Sequence, residues 1–598
     1  SQTARAEGPP MRVVLAVTLA VTLGLADAVG LRRGRQYYNP LDDAGGDDAQ
    51  GGAVPAALDP DMDTIVAAAK KMPAKLWPLP QSIKRGDKDL TVTPSANFFS
   101  VAGSSPLLSE AFERYAKYTF PHAANSGSSG AGPKITGLEL VVADKDESHP
   151  QLDTDESYTL KVPATGGKAK ATAKTVYGAL RALETFSQLV RFDFDANAYA
   201  LPGAPWDITD SPRFPHRGLM IDTARHYQPL AHIRAMIDTL PYAKLNVLHW
   251  HMVDTQSFPF EVKSHPKLWD AAHMPSQRYT QADVAEIVEY ARLRGVRVMV
   301  EFDVPGHAES WCKGEPDMCL AEAEACGTEG AMTPPLNVAS DKTWKVITDL
   351  LSEVTGNKES SKGKPSGLFP DNFVHLGGDE VATNCWDSDP NMAAFKTKNK
   401  LESGDDLYSY FVSKAGKIAH DKGRRPVQWA EAWDAAHQSG TPLQKGSIVH
   451  VWQRSTDLAG VLADGFDVLL NVGYFENSWY LDNLEINWKD IYINEPCSSV
   501  DDAACKKILG GQGEMWGETV DGSNLQHTVW PRLAAIAEKL WSGREATAPI
   551  GGNMVPEATM ARFKDFRCLL LDRGVAAAPG ALPFARGAPE APGSCWDQ

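Results

Sequence analysis

After the segment SPRFPHRG the chain settles into a repeating texture: a short, nearly unbroken apolar run, a polar break, then a longer stretch with apolar residues at helical spacing. The runs are RGLMID (217–222), NVLHWHMVD (246–254), VRVMVEFD (296–303), NFVHLGG (372–378), RPVQWAE (425–431), SIVHVWQ (447–453), DVLLNV (467–472) and GGQGEMWGE (510–518). Runs apolar on both faces are the strands of a parallel sheet covered by helices, and their alternation with helical segments is the mark of an α/β fold. Eight of them in about 310 residues predict a (β/α)8 barrel with some long loops, over 208–598 together with a C-terminal extension.

Upstream the pattern is different. LTVTPS, GLELVVADKD and SYTLKVPA alternate as half-buried strands do, and AKTVYGALRALETFSQLVRF carries apolar residues at helical spacing, which predicts a small α+β domain over 76–207. NSGSSGAGPK from Asn125 reads as a loop within it. Residues 29–75 are rich in Gly, Asp, Ala and Pro and are expected to form a disordered or pro-segment. Residues 1–28 are expected to be a leader with a signal peptide starting at Met11: an Arg, an apolar run and then Ala26-Asp27-Ala28 as a small-x-small cleavage pattern. That apolar run is short for a membrane span and no later stretch is longer, so the expectation is a secretory-pathway protein without a membrane span in its mature form.

Charge and cysteines narrow the chemistry. A formal net charge of -17 without any long Lys/Arg run argues against a nucleic acid partner. The eight cysteines, Cys312, Cys319, Cys326, Cys385, Cys497, Cys505, Cys568 and Cys595, are an even number in a chain expected to enter an oxidising compartment, and read as disulfide partners. No Cys-x-x-Cys or His-Glu-x-x-His spacing is present, and His249 and His251 are as readily hydrogen-bonding core groups as ligands, so no metal and no cofactor are expected.

At or just beyond the C-terminal end of each run stands a group capable of chemistry: Arg225, Asp254, His307, Asp379 with Glu380, Trp429, Trp452, Tyr480, and Trp516 with Glu518. Barrel enzymes build their sites from that rim. Three Trp, a Tyr, several carboxylates and an Arg, with no glycine loop for phosphate, describe a sugar pocket. Two carboxylates there point to glycoside hydrolysis, yet Asp379 and Glu380 are adjacent, whereas a protein nucleophile and its acid partner must flank the scissile bond. Asp379 is therefore not expected to be the nucleophile, which leaves the substrate as one candidate source of it. Asp379 after Gly-Gly is also ordinary helix-capping chemistry, so the pair acquires meaning only from the rest of the chain.

HRGLMIDTARHY, LNVLHWHMVDTQSFPFE, ARLRGVRVMVEFDVPGHAESW, FVHLGGDEVATNCW and GEMWGE resemble the β-N-acetylhexosaminidases of glycoside hydrolase family 20, from Leu76 to the Cys568 region. The resemblance implies exo-acting, retaining removal of terminal non-reducing β-linked GlcNAc or GalNAc from glycoconjugates or chito-oligosaccharides, with the substrate's acetamido oxygen as nucleophile and an oxazolinium intermediate. It implies Glu380 as general acid and base, Asp379 as the holder of the acetamido N–H, and Asp254 with His307 as the pair tuning Glu380. It implies sugar hydroxyl contacts for Arg225 and Glu518, an acetamido contact for Tyr480, a wall of Trp429, Trp452 and Trp516, and a reader of the 6-position in Asp482. Thr255 departs from the family's pattern, which commonly has an Asp there. Cys385 is expected to pair with Cys319 or Cys326, and Cys568 with Cys595; a homodimer and a lysosomal, vacuolar or extracellular destination are further implications, although the chain has no Asn-x-Ser/Thr sequon. The alternatives are a catalytically inactive sugar-binding barrel and an endo-acting chitinase.

Overall fold

The segment before the barrel is built on seven strands, β1 (Ser82–Val92), β2 (Phe99–Val101), β3 (Lys134–Val142), β4 (Tyr158–Val162), β5 (Gly167–Ala173), β6 (Arg191–Asp193) and β7 (Ala198–Asp210). Their order is β1-β3-β5-β4-β7-β6, with β2 beside β3 and β1 also paired to β7. These elements belong to a computed structural model that describes residues 75–123, 132–321, 326, 332–356, 367–453, 456–471, 479–580 and 595. The expected leader, nearly all of the 29–75 segment and most of NSGSSGAGPK lie outside the described residues.

Two helices accompany this sheet, α1 (Pro106–Thr119) and α2 (Val176–Leu189). Ser105 caps α1 by accepting from the Leu108 amide, and Thr175 caps α2 by accepting from the Gly178 amide. Every residue of α2 is buried, because the helix lies between the sheet and the barrel: Arg181 donates to the Gly295 carbonyl at 2.9 Å and Gln188 to the Trp77 carbonyl at 2.8 Å. The expected strands and the α2 helix are present. Sequence alternation did not reveal α1, the early part of β1 or β7. β7 carries Pro202, Gly203 and Pro205, residues that argue against a strand, and it is held by long antiparallel pairing with β1 and β4.

All eight apolar runs are strands: β8 (His216–Asp222), β9 (Val247–Val253), β10 (Arg297–Phe302), β11 (Phe373–His375), β12 (Arg425–Trp429), β13 (Ile448–Val451), β14 (Asp467–Leu470) and β15 (Ile508–Met515). Neighbours pair in parallel and β15 closes onto β8, giving the predicted eight-stranded barrel. Its interior is layered by the two-residue strand period. Val247, Met299, Phe373, Val427, Ile448 and Leu469 form one apolar layer. Two residues further along the same strands stand His249, Glu301, His375, Trp429, His450 and Asn471, all buried. This second, polar layer is the floor beneath the C-terminal rim.

Four disulfides join Cys312–Cys319, Cys326–Cys385, Cys497–Cys505 and Cys568–Cys595. Among the described residues no helix is long and apolar enough to cross a membrane.

Candidate active site

The groups singled out from the sequence stand at the C-terminal ends of eight different strands. Arg225 follows β8, Asp254 β9, His307 β10, Asp379 and Glu380 β11; Trp429 ends β12, Trp452 follows β13, Tyr480 and Asp482 come after β14, and Trp516 and Glu518 follow β15.

Asp222, the last residue of β8, makes the first turn. It accepts from the Ala224 and Arg225 amides at 2.9 and 3.1 Å and from the Gly517 amide at 3.0 Å, tying β8 to β15. It also receives the Arg225 guanidinium at 3.1 Å, while the other arm of Arg225 reaches Asp254 at 2.9 Å and comes within 3.9 Å of Glu518. The guanidinium lies 5.0 Å over the Trp516 ring. Although burial opposes its charge, Asp222 and Asp254 hold Arg225 firmly protonated, above its ordinary value.

Asp254 is the hub of the charged side. His251 donates to it at 2.8 Å and His307 Nδ1 lies 3.2 Å away. Burial favours the neutral acid, but Arg225 and His307 hold the Asp254 carboxyl far below the usual range. The opposite nitrogen of His251 meets Glu301 at 2.6 Å. Burial again opposes charge, and Glu301 with Asp254 keeps the His251 imidazole protonated well above its ordinary value.

His307 carries this order to the acids. Its Nε2 is 3.3 Å from Glu380 Oε2 and 3.7 Å from Asp379 Oδ2, so a single nitrogen faces both carboxyl groups. Burial lowers its proton affinity, but Asp379 and Asp254 raise it well above the ordinary histidine value. Burial raises the Asp379 carboxyl against the pull of His307, with Glu301 and Glu380 adding to the rise. Glu380 is the more open of the two, its side chain 28% exposed against 11% for Asp379.

The other side is aromatic. Trp429 and Trp516 have ring centroids 6.1 Å apart, Trp516 and Tyr480 6.5 Å, and Tyr480 stacks on Trp452 at 6.1 Å. Four rings from four strand ends thus form one continuous wall. Two carboxyl groups, the buried Glu301 and the half-buried Glu431, fix it: Trp429 donates to Glu301 at 2.9 Å and Trp452 to Glu431 at 2.9 Å. Burial, then Asp379, pushes the Glu431 carboxyl up to about 8. Asp482, two residues after Tyr480, is half-buried, and burial and then Glu518 push its carboxyl up to about 7.

Several of these residues were not selected from the sequence. Asp303 ends the VRVMVEFD run and accepts from the Gly378 amide at 2.9 Å; burial, then the neighbouring Asp379, pushes its carboxyl well above the usual range. Its carboxyl explains Gly377, where a Cβ would fall 1.8 Å from Asp303 Oδ1. Glu301 and Glu431 were equally silent, because a carboxyl group in or at the end of an apolar run marks a polar partner without saying of what, whereas His251 is the hydrogen-bonding core group that the sequence allowed it to be. His249, Glu301 and His375 offer donor atoms within 4.8 Å of one another, but each is engaged internally: His249 with Gln512, His375 with the Gly377 amide, Glu301 with Trp429 and His251. At the departure from the family pattern, Thr255 donates its amide to Asp254 at 2.6 Å and its hydroxyl to Glu309, so the position still serves the Asp254 network.

Comparison with known proteins agrees with this architecture. Residues 214–544 match the catalytic domain of glycosyl hydrolase family 20, and residues 76–189 match a domain described as beta-acetyl hexosaminidase like. The chain is 40% identical over 543 residues to beta-hexosaminidase 1 of Arabidopsis thaliana, covering 88% of this chain and 95% of the relative. It is 36% identical over 552 residues to beta-hexosaminidase subunit alpha of Bos taurus, covering 87% and 96%. Among solved structures, a Flavobacterium johnsoniae chitobiase superposes with a TM-score of 0.69 at 28% identity, covering 85% of this chain and 74% of that one. A rim of paired acids facing an aromatic wall, on a barrel that matches along its whole length, places the chain in glycosyl hydrolase family 20.

Proposed function

We propose that this chain is an exo-acting, retaining β-N-acetylhexosaminidase that removes terminal non-reducing β-linked GlcNAc or GalNAc, with Glu380 and Asp379 as its reacting pair. The observation that carries the reading is the shared position of the two acids: adjacent on one strand end and facing a single imidazole nitrogen at 3.3 and 3.7 Å, they lie on one side of the cup. That placement suits acid catalysis plus support of a substrate nucleophile better than a pair flanking the bond.

Glu380 gives its proton to the glycosidic oxygen as the bond to the anomeric carbon breaks. The acetamido oxygen forms a bond to the opposite face of that carbon, and the positive charge spreads onto the resulting oxazolinium ring. Asp379 accepts the ring N–H and balances that charge, and the Trp429, Trp452 and Trp516 wall with Tyr480 keeps the acyl group pressed toward the carbon. Glu380, now a carboxylate, takes a proton from water as its oxygen adds to the anomeric carbon and the ring reopens. Two inversions leave the β-configuration. Arg225 and Glu518 hold ring hydroxyls at the closed end, which favours a terminal sugar over an internal one. Intact acids within reach of a charged His307 speak against a binding-only barrel.

The barrel domain extends from about residue 208 and the smaller domain from 76 to 207 in this reading. Four disulfides suit an oxidising compartment and thus the secretory pathway. The test is proton NMR of the first sugar released from an aryl β-N-acetylglucosaminide. A β-anomer that only later mutarotates is expected; an α-anomer overturns the mechanism.

A further inference from the structure

Two bulky residues at the site have left-handed backbones, His307 at φ 52° and Glu380 at φ 49°. That conformation is unfavourable for a side-chain-bearing residue and persists only where neighbours hold it. One residue holds both. The His307 amide donates to Thr333 Oγ1 at 2.7 Å, and the Thr333 amide donates to the Glu380 carbonyl at 2.8 Å. The Thr333 carbonyl accepts from the Ala382 amide at 3.0 Å, and Thr333 forms a bridge with Val381 just beyond the acid pair. The Thr333 hydroxyl, while accepting from His307, also lies 3.5 Å from the Glu380 carbonyl, a long contact to which it can donate. The space is made by Gly306, where a Cβ would meet Thr333 Oγ1 at 2.9 Å and the Asp379 carbonyl at 3.0 Å. The Cys326–Cys385 disulfide ties the stretch before Thr333 to the stretch after Glu380.

We propose that Thr333 is the positioning residue of the His307–Glu380 pair: its hydroxyl sets the loop after β10 and its backbone sets the loop after β11, so one residue fixes the imidazole-to-carboxyl separation and its hydroxyl fixes the imidazole end of it. Thr333 touches no substrate in this account; it acts through the two residues it braces. The inference rests on Glu380 being the general acid.

The experiment compares Thr333→Val with Thr333→Ser on a pair of aryl N-acetylglucosaminides, one with a poor phenolic leaving group and one with an activated dinitrophenyl group. Valine keeps the shape and backbone bonds but removes the acceptor for the His307 amide. It is expected to lower kcat/KM at least about tenfold on the poor leaving group and far less on the activated one, and to shift the pH profile of kcat/KM, since proton delivery is what loses its geometry. Thr333→Ser, which keeps the hydroxyl, is expected to return most of that loss. If the valine variant does not fold, Thr333→Ala carries the same expectation. Wild-type kinetics in the variant lacking the hydroxyl, or an equal loss on both substrates that serine does not rescue, overturns the proposal. Glu380→Gln run on the same substrates separates the two claims: absence of any leaving-group dependence there refutes the acid assignment itself, whatever Thr333 does.

Discussion

Replacing Arg225 by Lys probes the closed end of the pocket. The guanidinium spans two buried carboxylates with separate arms, 3.1 Å to Asp222 and 2.9 Å to Asp254, and lies across Trp516. A single ammonium can keep one of these carboxylates but cannot bridge both and still present a donor to a sugar hydroxyl. The fold should survive, because Asp222 retains three backbone amides and Asp254 retains His251 and His307. Function should not. A hydrogen bond to a charged group contributes about 1.5–3 kcal/mol, so losing two hydroxyl contacts costs about 3–6 kcal/mol, which is about 10²- to 10⁴-fold in kcat/KM. The assay is kcat/KM for wild type and Arg225→Lys on an aryl N-acetylglucosaminide and on its 3-deoxy and 4-deoxy analogues. If Arg225 holds those hydroxyls, the substitution costs much less on the deoxy sugars than on the parent. An equal cost on all three substrates refutes the contact and leaves Arg225 as a partner of Asp222 and Asp254 alone.

Other consequences follow from the same geometry. Glu380→Gln should lose about 10²- to 10⁴-fold on substrates with poor leaving groups and much less on activated ones, whereas Asp379→Asn should lose rate on both; equal leaving-group sensitivity in the two variants contradicts their assignment. Asp482, pushed up to about 7 by burial and then Glu518, is mostly neutral at pH 5 and ionised at pH 8. The preference for N-acetylglucosaminide over its 6-sulfate should therefore grow with pH across that range, and be flat in Asp482→Asn; a flat wild-type ratio shows that Asp482 does not read the 6-position. Glu514, beneath the site, is pushed up to about 8 by burial and then Glu301. Its neutral form favours the folded state, a stabilisation fully present below the ordinary carboxylate value and lost as pH rises through about 8. Between pH 5 and 8 the thermal midpoint at fixed scan rate should thus fall more steeply in wild type than in Glu514→Gln, and parallel slopes would count against a buried neutral Glu514.

The barrel was legible because its strands are buried on both faces and so appear as unbroken apolar runs, and the gathering of the candidate site residues at one rim was legible because they sat where those runs ended. The smaller domain was less so. β1 buries only Leu90 and Val92 of its eleven residues, and β7 is broken by two prolines, so neither advertises a strand until the two are paired. Within the site, Arg225 and Glu380 stand out in polar loops, but Asp303, Glu301 and Glu431 act from inside or just under the rim. Their partners, Asp379, Trp429 and Trp452, lie on other strands. Thr333 is still less visible: an ordinary residue in MTPPLN, given its place by two loops more than twenty residues away on either side. Disulfide pairing was open between Cys319 and Cys326 for Cys385, and the fold resolves it in favour of Cys326 because Cys319 closes the short loop to Cys312.

The central claim is that the substrate supplies its own nucleophile while Asp379 and the aromatic wall hold it in line. The measurement closest to that claim is kcat/KM across aryl glucosaminides whose N-acetyl group is replaced by mono-, di- and trifluoroacetyl. Each fluorine withdraws electrons from the acyl oxygen and weakens its attack while leaving the sugar, the leaving group and the contacts of Arg225 unchanged. A steep, stepwise fall in rate along the series is the expected result. A rate independent of fluorine content would mean that the bond to the anomeric carbon is made by a group of the protein, and would contradict the account.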